Sequence, residues 1–333
     1  MSAETIEWLN DNSLIGHTDK RGNAWHYREG SSNHFPGAVP ADQVLRLLDV
    51  PLREATLTAT VITDDGVQTI PIDDRKTIVR TDTGKAFGIF KQNYPIHGYQ
   101  EWCMENLEEI TGAGLDVGSA ILLKEGAVAA VQAELEETRE AAEGVKHRPF
   151  ITAATSCDGS LATTYLLGTQ IWVCDNTLSL ALGEADALKV KIRHTANSLS
   201  RASSVKYELG FMVEQIGDAY DKEIGKLTSQ YVSDETWNAF VKAYTGIQFA
   251  KPGRSTTMAE SKIITLNRLW RNDERVAPWK NSAYGVVAAV NTAVHHEFSI
   301  KGMERVERNF LRTVEGDWAN VDGGALKLLS QVR

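Results

Sequence analysis

The chain has 333 residues, 42% hydrophobic and 24% charged, with a formal net charge of −9. This ordinary globular composition excludes a disordered polypeptide, and no apolar run approaches the ~20 residues of a membrane span. The acidic balance excludes general, non-specific nucleic-acid binding but permits one focused basic groove.

The start, MSAETIEWLNDNS, has no basic segment followed by an apolar run, so no secretory signal is expected. Cys103, Cys157 and Cys174 lack CxxC spacing and read as reduced thiols of a cytoplasmic protein. Residues 1–50 are polar and turn-rich, with a short amphipathic helix at Ala41–Leu48, and read as an N-terminal extension.

Residues 51–230 read as an α+β core domain. It opens with a hairpin over Glu54–Ile72 turning at Asp65-Gly66. The strands KTIVRTD and KAFGIFKQNY follow across the Asp82–Gly84 turn. A helix is expected over Ile96–Thr111, where Tyr99, Trp102, Cys103, Leu107 and Ile110 lie near helical spacing. Residues 119–124 and 127–135 form a strand pair around Glu125-Gly126, and the charged stretch EETREAAEGVKHR reads as a link. The central hairpin runs through Phe150–Ser156 and Leu161–Cys174, with Asp158-Gly159 at its turn. The longest expected helix spans Leu199–Leu227, where Val205, Leu209, Met212, Ile216, Tyr220, Ile224 and Leu227 step by three or four. Residues 231–333 read as a helical C-terminal region, with helices at Asp234–Tyr244, Ser255–Trp270 and Ser282–Phe298, ending in a weakly patterned tail that holds a helix at Gly302–Thr313. The fold class is therefore α+β: an antiparallel, hairpin-rich sheet packed against a long helix, in a β-β-β-α-like core.

The main chemical signal is a basic run. Lys189, Lys191, Arg193, Arg201 and Lys206 fall in a stretch with no carboxylate between Asp186 and Glu208. On a strand, Lys189, Lys191 and Arg193 share one face while Val190 and Ile192 take the other. Arg201 and Lys206 sit near the start of the long helix, so cations and free backbone N–H groups would converge as a phosphate backbone requires. A solvated strand face paired to Glu184, Asp186 or Glu208 accounts for the same residues. His194 completes the candidate set, either as a phosphate ligand or as a structural cap at the turn. Asn176 and Thr177 read as turn formers.

Other chemistries find little footing. Neither Cys157 nor Cys174 lies in a catalytic signature, and adjacent His295 and His296 diverge by ~100° on a helix, unsuited to one metal. HExxH and GxxxxGK[ST] motifs are absent, so neither a metal nor a nucleotide cofactor is expected. Trp102 and Trp172 fit core positions. Tyr94 and Tyr99, beside Pro95, suit packing better than base stacking. Trp270 with Arg268, Arg271 and Arg275 forms a second basic cluster, diluted by Asp273 and Glu274.

Four segments carry a family resemblance: TGKAFGIFKQNYPIHGYQEW, SCDGSLATTYLLGTQIWVCDNTLSLAL, IRHTANS and SAYGVVAAVNTAVHHEF. They resemble the conserved core of the DUF932 family of phage- and plasmid-borne proteins. The resemblance spans roughly residues 75–315, implies the host cytoplasm, and brings no catalytic residues with it. In element order and charge placement, the core is also similar to Rad52-like single-strand annealing proteins. That likeness implies an ATP-independent, non-enzymatic, homo-oligomeric protein that holds single-stranded DNA by its phosphates. The alternative is a factor that binds host or defence proteins without touching DNA.

Overall fold

The computed structural model describes residues 10–21, 27–103, 115–135, 138–141, 144–171, 176–178, 189–192, 217–300, 305, 308–309, 312 and 317–333. The protein is α+β, as the sequence implies. Two units emerge, the first comprising Met1–Glu134, Thr152–Tyr165 and Val190–Gly210, the second Leu135–Ile151, Leu166–Lys189 and Phe211–Arg333.

In the first unit, strand β1 (Ser13–Ile15) precedes the helix α1 (Ala41–Leu47), which buries Val44. Strands β2 (Leu52–Thr63), β3 (Gly66–Arg80) and β4 (Lys85–Lys91) make a separate antiparallel sheet in the order β2-β3-β4. The hairpin turns at Asp64 and Asp65, one residue earlier than expected, because Thr63 pairs with Gly66 and the glycine takes the positive φ of 124°. The two strands expected on either side of Asp73 are one long β3. A register shift between Thr56 and Leu57 absorbs the extra Asp73-Asp74-Arg75.

Strands β5 (Leu115–Leu123) and β6 (Val128–Leu135) flank the 3-10 turn Lys124–Gly126, as their pattern predicts. β1 pairs antiparallel with β5, so the N-terminal stretch contributes to the main sheet. Tyr99, Trp102 and Cys103, on the helical residues 99–103, are buried; residues 104–111 of that expected helix lie outside the described residues.

Two long strands contribute to both units, β8 (Val145–Ser156) and β9 (Thr163–Ile171). Between them the turn is built as the sequence suggests. Ser160 N–H donates to Asp158 Oδ1 at 2.8 Å, and Gly159 takes φ 74°. The main-sheet order in the first unit is β1-β5-β6-β8-β9, with β11 (Lys189–Ile192) also on β9.

In the second unit, β7 (Arg139–Ala141) pairs antiparallel with β8, setting Arg139 opposite His147. This corrects the reading of EETREAAEGVKHR as a link: its charges pair across the chain, as described below. β10 (Asn176–Leu178) pairs back onto β9, Asn176 against Ile171 and Thr177 against Gln170. Asn176 and Thr177 therefore open a strand and do not form the turn.

The helices of this unit follow their caps. Residues 217–229 form α2, the described part of the long expected helix, with Tyr220, Ile224 and Leu227 buried at the anticipated spacing. Ser233 accepts from Thr236 N–H at 3.2 Å to start α3 (Asp234–Thr245), and Gly246 ends it in the left-handed region. After α4 (Arg254–Asn272), Ser282 caps α5 (Ala283–Thr292) through Gly285 N–H at 3.0 Å. α5 is apolar nearly all round and forms the centre of the unit, continuing into a π turn at Ala293–Glu297. Trp237 and Trp270 stack at 4.1 Å between α3 and α4. Past the helix expected at Gly302–Thr313, the weakly patterned tail ends in a further helix, α6 (Asp317–Val332). Gly323 and Gly324 lower its propensity, but burial of Ala325 and Leu329 and an Asn291–Asp322 hydrogen bond of 2.9 Å outweigh that cost.

Candidate nucleic-acid interface

Of the six proposed DNA-contacting residues, Lys189 and Lys191 fall on alternate positions of β11. A strand over the basic run is therefore present, and β9 is its partner. Arg193, His194, Arg201 and Lys206 lie outside the described residues, as do Trp172 and Cys174.

The polar network in the second unit was not expected from the residue pattern. The β7–β8 register sets Arg139 beside His147, and α2 offers Asp218 and Asp221 from one helical face. Arg139 Nε donates to Asp221 Oδ2 at 3.0 Å, and a second guanidinium nitrogen contacts Asp218. His147 Nε2 lies 2.6 Å from the other oxygen of Asp221. Burial pushes the His147 pKa down, opposed by the Asp221 carboxylate and reinforced by Arg139. A neutral ring therefore donates Nε2–H to Asp221. A carboxylate-oriented imidazole can serve acid–base chemistry, but this side chain is 0% exposed, so no substrate atom can reach it. Its work is to fasten α2 to the hairpin.

A second cluster stands where α5 ends. Arg305 donates to the carbonyls of His295 at 2.9 Å and Phe298 at 3.0 Å, Asn309 donates to His295 at 3.1 Å, and Arg308 donates to Val294. These donors satisfy carbonyls that a helix C-terminus leaves open, and their charge suits its negative end. Burial, then the neighbouring Arg312 and Arg305, bring the Arg308 pKa down to about 10. In the basic group around Trp270, Arg275 pairs with Asp273 at 2.6 Å and Arg268 with Glu297 at 2.9 Å, while Trp270 itself is buried.

In the first unit, Tyr99 OH donates to Gly126 O at 2.9 Å and lies 3.1 Å from Cys157 Sγ. Burial pushes the thiol up to about 11, which keeps Cys157 protonated near neutral pH. Tyr99 packs in the core, which rules it out as a base-stacking platform. Tyr94 stacks on Phe90 at 4.3 Å. Among the described residues no group of three or more His, Cys, Asp or Glu could hold a metal, and no helix is long and apolar enough to cross a membrane.

Residues 86–317, more than two thirds of the chain, match the model of a family described as "Domain of unknown function (DUF932)". The chain belongs to this family. No curated protein and no solved structure matches it. The DUF932 span takes in β11, the His147–Asp221 network and α5, whereas β2 and β3 precede it.

Proposed function

We propose that this DUF932 protein binds single-stranded DNA and promotes its annealing, acting without ATP in recombination on mobile elements. The observation carrying this reading is the carboxylate-free basic run of an otherwise acidic chain, with Lys189 and Lys191 at alternate positions of a strand. Lys189, Lys191, Arg193, His194, Arg201 and Lys206 grip phosphates and leave base edges free to pair. The same reading places a homo-oligomer in the cytoplasm of a host cell.

Fluorescence anisotropy with a labelled ~40-nucleotide strand tests it, at low and physiological salt with duplex alongside. Salt-sensitive binding that prefers the single strand is expected. A folded Lys191→Glu/Arg193→Glu variant should bind at least about tenfold more weakly. Unchanged affinity in that variant rejects the grip.

The second reading, a protein-binding factor without DNA, draws on the exposed apolar side chains of the β2–β3 hairpin, Ile62 and Val67 above all. It is favoured if no DNA binding occurs even at low salt.

A further inference from the structure

The β2–β3 hairpin outgrows its own sheet. The β3–β4 ladder ends at Arg75, with one further bond from Gln92 N–H to Asp74 O, so, among the described residues, 57–63 and 66–72 pair only with each other, as a two-stranded ribbon. Val61 is 39% exposed, Ile62 84%, Val67 72% and Ile70 43%. Two strands alone are marginally stable in water, and exposed β-branched residues on them are a hazard unless a partner covers them.

The two edges of the ribbon differ. On β3 the free edge is guarded by Pro71 and by the acidic loop-out at Asp73 and Asp74. On β2, residues 57–63 read LTATVIT, with no charge, proline or glycine. Such a segment lacks every usual protection against strand addition. Pro71 also reveals which groups the β2 edge presents. It stands opposite Thr58 and has no N–H to give, so this pair is of the non-hydrogen-bonded kind. By alternation so are Thr60–Thr69 and Ile62–Val67, and the N–H and C=O groups of Thr58, Thr60 and Ile62 point outward.

We propose that this edge pairs antiparallel with β2 of a second copy of the chain, about a two-fold axis near Thr60, joining the ribbons into a four-stranded sheet. Three features select a second copy. The edge is complementary to itself: Thr60 meets Thr60, Thr58 meets Ile62 and Ala59 meets Val61, with no like charges opposed. Leu57, Ala59 and Val61, continued by Ile70 and Ile72, then form an apolar face twice as wide. The ends of the edge are also of opposite charge, so antiparallel pairing brings the tip carboxylates Asp64 and Asp65 of one copy toward Arg53 of the other. Glu54, the other charge near Arg53, is already held by Lys76 Nζ at 2.6 Å. A nucleic acid fits poorly, because no Lys or Arg occurs from residue 54 to 74 and the tip is acidic.

Sedimentation velocity of the full chain without DNA, over a wide concentration range, tests the pairing and is independent of the DNA reading. The expected result is a species of two chains or an even multiple. Thr60→Pro removes an outward N–H that β3 does not use, and Ile62→Lys adds the guard that the edge lacks. Each should raise the concentration for half-association at least tenfold with an unchanged circular dichroism spectrum. Should Thr60→Pro misfold, Ile62→Lys decides alone, since its side chain stands in solvent. A wild-type chain that stays monomeric, or an Ile62→Lys variant that associates as wild type does, overturns the proposal.

Discussion

The start of the β7–β8 hairpin and the β2–β3 ribbon are reversed images of one another. The first is written in polar and charged residues, yet His147 and Arg148 are buried and Arg139 half-buried; the second is written in Val, Ile and Thr and stands in water. Pattern alone would exchange them. The difference is the partner. His147 can be buried, and Arg139 half-buried, because α2 supplies Asp218 and Asp221. The ribbon is exposed because, among the described residues, nothing is placed over it. Burial is thus decided by what an element meets, and residue type only sets how costly it is to meet nothing.

The sharpest way to break this comparison is to remove the partner. Asp221→Ala leaves His147 buried without its acceptor and Arg139 with Asp218 alone. Because Asp221 is 30% exposed, the loss should fall at the low end for a broken buried pair, about 2–3 kcal/mol. Urea unfolding monitored by circular dichroism measures it. A loss below about 0.5 kcal/mol would show that the hairpin stays in place without the Asp221 carboxylate.

Acid should act on the same side of the comparison. Burial holds His97, His147 and His295 below the ordinary histidine range. Their folded-state pKa values lie under the unfolded value of 6.5, so as pH falls through 6.5 the unfolded chain takes up protons first. The associated stability is complete above that pH and declines below it, toward the folded pKa values. The urea midpoint should therefore drop between pH 7.5 and 5.5. His147→Gln, which retains an N–H donor for Asp221, should make that drop shallower. An unaltered slope in the variant would assign the effect to the other histidines.

What could be read ahead of the structure follows the same division. The turns at Asp82–Gly84 and Asp158-Gly159, and the helices beginning at Asp234 and Ser282, were legible because a tight turn or a helix start is a local demand. β7 was hidden because its partners lie some 80 residues away on α2. α6 was hidden behind Gly323 and Gly324, whose poor propensity is overridden by contacts such as Asn291 with Asp322. At the candidate interface, period-two alternation sufficed to place β11 under Lys189 and Lys191. Which cations converge is a question of distance between segments, and a charge pattern along one segment carries no such distance.

The smallest expected effect is the most telling for the ribbon. Ile62→Lys exchanges a large apolar side chain for a charged one in a strand, a change that in β8 would be severe. With Ile62 84% exposed and its backbone pairing to β3 intact, the stability of the isolated chain should move by no more than about 0.5 kcal/mol. Thermal unfolding at a concentration below that of self-association isolates this term, because association stabilises the folded form by mass action and would add to it. A loss of several degrees at such dilution would mean that Ile62 contributes to folding within one chain. A loss seen only at high concentration is what a strand edge reserved for a second copy produces.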